Sequence, residues 1–248
     1  MKVKNKRIMI GAIIISLMIV VSVQQHKAKN EQRKQVMIEK MSSYLKDKYN
    51  EEFEYVSSYS FIGAGELQKT FRARFIPRGE SELEFNCTDN GSLGFTDGFL
   101  VMLGERLMQP YGEQLCQQVF KSGEKYLVYA DATPDTKISY KERPTLQTFI
   151  DNQEKNKVYF DIVVSLYGEY EKEEIKQKVY EIGQLMKKSG IKIRGSVAVK
   201  VYDDSTEFIA DEGFNDDREG MLFKGILFEE YENEFTLEDV SIQERFIK

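Results

Sequence analysis

Histidine is almost missing from this chain: the single one, His26, lies just past an apolar run near the start. A folded body without histidine has no serine–histidine or cysteine–histidine nucleophile and no histidine-ligated zinc. Tryptophan is absent, proline occurs four times and cysteine twice. Two cysteines without CxxC spacing exclude a thioredoxin-like redox motif and a zinc ribbon held by four cysteines. No Walker lysine follows Gly63-Ala64-Gly65, so that triplet reads as a turn and not as a phosphate loop. No cofactor is expected from any motif in the chain. The missing tryptophan, the few prolines and the wealth of Lys, Glu and Ile point to a low-GC bacterial source.

Long apolar runs are also missing, with one exception. Ile8 to Val23 carries no charged residue. As a helix rising 1.5 Å per residue it spans about 24 Å, slightly short of a hydrocarbon core of roughly 30 Å. It is slightly long for the h-region of a secretory signal, about 7–15 residues. Lys6, Arg7 and Lys27 have stems that extend the effective span by reaching to the interface. The best cleavage site, Val20-Val21-Ser22, lies inside the run and follows no helix breaker. A retained anchor over residues 8–25 is therefore preferred to a cleaved signal. Basic residues flank the run on both sides, so the positive-inside count is close to a tie. A short basic tail at residues 1–7 crosses a membrane poorly, whereas long domains cross largely regardless of charge. The expectation is a cell-membrane protein with its C-terminal body outside the cytoplasm.

Beyond Val23 the chain holds 31 basic against 41 acidic residues, a net charge of −10. That balance argues against nucleic acid, which requires a basic footprint. The expected partners are the membrane, through residues 8–25, and a protein of the envelope.

Periodicity organises the rest. Met37, Ile38, Met41, Tyr44 and Leu45 fall on one side of a predicted helix over residues 31–48. The period then changes to two: Phe53, Tyr55, Tyr59 and Phe61, then Phe71, Ala73 and Phe75, then Leu83, Phe85 and Cys87. Asp89-Asn90-Gly91 marks a hairpin. A second helix carries the stripe Leu100, Leu103, Leu107, Tyr111, Leu115, Val119, with Thr96 or Asp97 as N-cap and Pro110 expected to kink or break it. A strand around Lys125–Ala130 closes this first α+β unit, residues 30–131. Residues 132–150 read as a linker, within a polar stretch from Asp131 to Pro144. A second unit, residues 151–248, reads strand, helix, strand, loop, strand. The helix shows Ile175, Val179, Ile182 and Met186, with Gly190 where a C′ glycine belongs. The fold class is α+β: an N-terminal transmembrane helix, then two small units of mainly antiparallel sheet covered by helices.

Candidate sites are few, and no catalytic residue is selected. Asp211, Asp216, Asp217 and Glu219 belong to an acidic loop able to gather oxygens around Ca²⁺, but the spacing does not match an EF-hand. Cys87 and Cys116 are either separate core residues or a disulfide, which would close a loop worth about 3.5 kcal/mol in an oxidising compartment. Tyr159, Tyr167 and Tyr202 form either an exposed aromatic strip or half-buried sheet packing. Paired carboxylates for glycoside hydrolysis are so abundant in type that nothing selects one pair.

The segment Tyr44–Ser60, YLKDKYNEEFEYVSSYS, resembles uncharacterised, N-terminally anchored proteins of Gram-positive bacteria, over about residues 8–110. The resemblance implies an envelope-facing α+β domain and supplies no activity. The reading that follows is a non-catalytic binding or assembly module at the envelope. A wall-associated hydrolase with two carboxylates and an envelope sensor are the alternatives.

Overall fold

The computed structural model describes residues 2–62, 69–135, 138–192, 195–203, 221–228 and 234–244; of residues 2–20, 61, 62, 69 and 228 it describes the backbone alone. One helix, α1 (Lys2–Tyr49), contains both the apolar run and the predicted amphipathic segment. At 1.5 Å per residue it is about 72 Å long. Residues 21–33 are exposed on every side, and burial begins at Ile38 and continues through Met41, Leu45 and Tyr49. Asn50 ends the helix in a left-handed conformation, φ 52°, with its N–H on the Lys46 carbonyl at 2.7 Å. Most of the expected anchor, residues 8–20, lies outside the described side chains. Among the described residues no helix is long and apolar enough to cross a membrane.

Four antiparallel strands follow as a meander in the order β1 (Phe53–Ile62), β2 (Lys69–Pro77), β3 (Phe85–Asp89), β4 (Phe95–Asp97). Ala73, Phe75, Phe85 and Cys87 face inward against α1 and are fully or almost fully buried. The expected single face of β1 is not kept. A register shift between Tyr55 and Ser57 leaves Tyr55 opposite Phe75 but sets Tyr59 opposite Arg72, on the polar face. One inserted residue in a period-two strand reverses every side chain after it. At the β3–β4 turn, Asp89 Oδ1 accepts the Gly91 N–H at 2.9 Å, and Gly91 and Gly94 adopt φ 63° and 80°. The Asp-Asn-Gly signal thus makes the hairpin it predicts.

Helix α2 (Phe99–Val119) serves two cores. Phe99, Leu100 and Leu103 pack with the first sheet, while Met108, Leu115 and Cys116 pack with the second, and Leu107 touches both. The helix runs through Pro110 without a break. Its N-cap position is Gly98, and Asp97 instead accepts the Phe99 N–H at 3.2 Å.

The second sheet has the order β5 (Lys125–Thr133), β6 (Tyr159–Tyr167), β7 (Gly195–Tyr202), β8 (Met221–Phe228), β9 (Ser241–Glu244). Among the described strands only β6 and β7 are parallel, joined by α4 (Lys172–Lys188), which follows the short α3 (Leu146–Asp151). Ile175, Val179, Ile182 and Met186 of α4 are fully buried, as the periodicity predicts. Strand β5 was expected to close the first unit, yet all nine of its residues pair with β6. The predicted linker is likewise packed. Pro134 and Pro144 are buried, Tyr140 packs on both cores and takes a 2.7 Å bond from Asn156, and Arg143 pairs with Glu80 and Glu51. Arg143 thus ties this stretch to the first half.

Helix α2 approaches β5 closely because glycine allows it. A Cβ on Gly104 would lie 1.7 Å from the Ala132 carbonyl oxygen, and one on Gly112 would lie 2.4 Å from Ala130 Cβ. Between them, Gln109 donates to the Val128 carbonyl at 2.8 Å and accepts the Ala130 N–H at 2.9 Å, closing the free edge of β5. Helix propensity alone favours Ala over Gly by about 1 kcal/mol, whereas overpacking costs about 1–3 kcal/mol. Gly104→Ala is therefore expected to lower the urea midpoint; a raised midpoint would show that the backbones do not meet there.

Candidate binding groove at the foot of helix α1

Asp97, the last residue of β4, has no exposed side-chain surface. Its carboxylate meets four donors. Lys48 Nζ and Tyr44 OH reach Oδ2 at 2.8 and 2.9 Å, and Tyr49 OH and the Phe99 N–H reach Oδ1 at 2.7 and 3.2 Å. Tyr44 and Lys48 are four residues apart, which puts them on one side of α1. The Lys48 ammonium also lies over the Tyr44 and Tyr49 rings, 5.4 and 5.0 Å from their centroids. Burial first, then the Asp97 charge, raises both phenol pKa values far above the ordinary range, so the tyrosines stay protonated as donors. A carboxylate so fully engaged is a fastener and has no lone pair left for base catalysis.

Tyr44 and Lys48 of this knot also line a concavity on the described surface, a trough of about 920 Å³. Val36, Lys40, Tyr44 and Lys48 form one wall from successive turns of α1; Phe95 of β4 and Ser139 form the other. The volume falls in the range of ligand pockets, about 300–1,000 Å³. The helix residues that line it run from Val36 to Lys48, about 18 Å along the axis of α1.

Asp211, Asp216, Asp217 and Glu219 lie outside the described residues, as does Gly63-Ala64-Gly65. Cys87 and Cys116 are free and buried, and the bridge weighed for them is not formed. Their inward faces belong to different cores, Cys87 under the first sheet and Cys116 against the second. Burial pushes each thiol up to about 12, helped by Asp97 beside Cys87 and by Glu113 near Cys116, while Lys48 opposes at Cys87. Of the tyrosine strip only Tyr159 is exposed; Tyr167 and Tyr202 are buried and stacked at 5.5 Å. Lys48 was not singled out, because a lysine beside a helical stripe normally faces water. Its legible signal was its position four residues after Tyr44 and three after Leu45.

No family model matches the chain, and no curated protein matches it. Among solved structures, a DUF5037 family protein from Ruminococcus gnavus is similar at 19% identity, over 81% of this chain and 95% of that one, with a TM-score of 0.39. A likeness of that degree carries no argument about activity.

Three outcomes test this geometry. Asp97→Ala removes the carboxylate that Lys48, Tyr44, Tyr49 and the Phe99 N–H converge on, and is expected to cost about 3–5 kcal/mol in chemical denaturation. Lys48→Met combined with Asp97→Leu is expected to cost less than the sum of the single changes; strict additivity would mean that the two do not interact. The native protein is also expected to resist thiol reagents and to migrate identically with and without reductant, whereas a faster oxidised band would indicate a disulfide.

Proposed function

We propose that the chain is a single-pass membrane protein whose body stands outside the cytoplasm and acts as a non-catalytic binding or assembly module of a bacterial envelope. The observation that supports this most is the continuity of α1. The helix that contains the Ile8–Val23 run ends in the first core at Ile38, Met41, Leu45 and Tyr49 and is fastened through Lys48 to Asp97. Whatever holds the run also holds the body. The fifteen residues from Val23 to Ile38 set the first buried contact about 22 Å along the helix from the end of the run, and the lining of the trough begins beside it at Val36.

The net charge of the body fits a module that stays off anionic lipid and engages protein. The trough, walled by a rigid helix and a strand, provides the surface for it. In cells expressing the full chain, carbonate washing is expected to leave the protein in the membrane fraction, and protease added to spheroplasts should remove the body. Release by carbonate would defeat the anchor, and full protection would defeat the orientation.

A further inference from the structure

Asp131 and Asp161 stand directly opposite each other across the β5–β6 ladder, so both carboxyls project from the same face of the sheet. Like charges in that relation destabilise a sheet. Asp131 Oδ1 is buried and has no hydrogen-bond partner. Its Oδ2 receives only long bonds, from Tyr129 OH at 3.3 Å and Thr133 Oγ1 at 3.4 Å. Asp161 Oδ1 accepts the Ser196 hydroxyl of β7 at 2.8 Å.

We propose that Asp131 takes up a proton in the folded protein, which relieves its opposition to Asp161 and makes the pair a clasp that is firmer at mildly acidic pH than at neutral pH. A native fold rarely leaves a buried acceptor oxygen bare, because the desolvation cost is not returned. Protonating Asp131 takes the charge off a group with a buried oxygen that no donor reaches, and removes one of two like charges set opposite each other. The proton comes from solvent and no bond other than O–H forms. The groups that act on Asp131 come from three elements. Asp161 faces it from β6, Glu105 acts on it from α2, Tyr129 and Thr133 flank it on β5, and Ser196 lies one strand further on.

The electrostatics agree with the geometry. Burial first, then the Asp161 charge, moves the Asp131 carboxyl from 3.8 up to about 6, with Glu105 adding in the same direction. For an acid whose folded value is raised, the stabilisation is complete below the unfolded value and is lost as pH rises through the folded one. The relevant window therefore runs from about pH 4 to pH 6. The clasp has structural reach because β5 carries α2 along its length through Gly104, Gln109 and Gly112. Loosening β5 from β6 would loosen the helix shared by both cores.

The test compares the full-length chain with Asp131→Asn and Asp161→Asn. Asn at position 131 keeps the shape, removes the charge and cannot titrate. Its unfolding equilibrium constant is expected to be about tenfold smaller than that of the wild type near pH 7.5, and the two should converge within about twofold near pH 4.5. Equal stability near pH 7.5, or a gap that does not change with pH, would overturn the proposal. Carboxyl carbon-13 titration of the unmodified protein decides independently of whether the variants fold. Asp131 is expected to titrate near 6, and its midpoint should fall in Asp161→Asn. A midpoint at the ordinary value of 3.8 in the wild type would end the proposal.

Discussion

One buried carboxylate holds the N-terminal helix to everything that follows it. Asp97 collects an ammonium, two phenols and a backbone N–H, from the last turns of α1 and from the first residue of α2. Its arrangement couples two helices that share no sequence neighbourhood. Such a pair contributes little net stability over a well-packed apolar alternative, because desolvation offsets the attraction. What it supplies is geometry. A hydrophobic stripe alone would let α1 slide by a turn at small cost, whereas a carboxylate with all its donors placed tolerates one register. The trough above it inherits that definition, since one of its walls is the helix so fixed.

Helix α2 is the second organising element. Sequential packing would give each half its own helices, but α2 places its first turns in one core and its last turns in the other. The strap from Pro134 to Pro144 repeats the connection, through Tyr140 on both cores and through the ion pairs of Arg143 with Glu51 and Glu80. Burial, foremost, raises the Glu51 carboxyl while Arg143 pulls it down; the Arg143 hydrogen bond lowers Glu80. The two sheets are thereby joined through packed side chains and not through a free tether.

Much of this architecture was legible in residue order. The stripe at Ile38, Met41 and Leu45, that of α4, and the Asp89-Asn90-Gly91 turn reflect local periodicity and turn chemistry, which act within a few residues. The pairings were not legible. Strand β5 follows α2 at once, and nothing in Lys125–Thr133 states that its partner begins at Tyr159, 26 residues after it ends. Asp131 read as the start of a polar linker, although it continues the alternation of Leu127 and Tyr129. A charged residue on a sheet face gives the same local pattern whether it meets water or another acid. Likewise Asp97 was recognised as a polar residue near a helix start, while its true role depends on Lys48 and Tyr49, nearly fifty positions earlier. The bulge that turns Tyr59 outward left no mark in composition.

Taken together, the chain is a long helix, a body fixed to its end, and a trough at the joint; its proposed envelope role follows from what that helix carries at its start. Native-state hydrogen exchange tests the joint most directly. If the Asp97 knot makes α1 and the body one unit, the amides from Met41 to Tyr49 should exchange only through global unfolding, with the same denaturant dependence as those of β3 and the middle of α2. Exchange of that segment by local fraying, insensitive to denaturant while the sheet remains protected, would contradict the account.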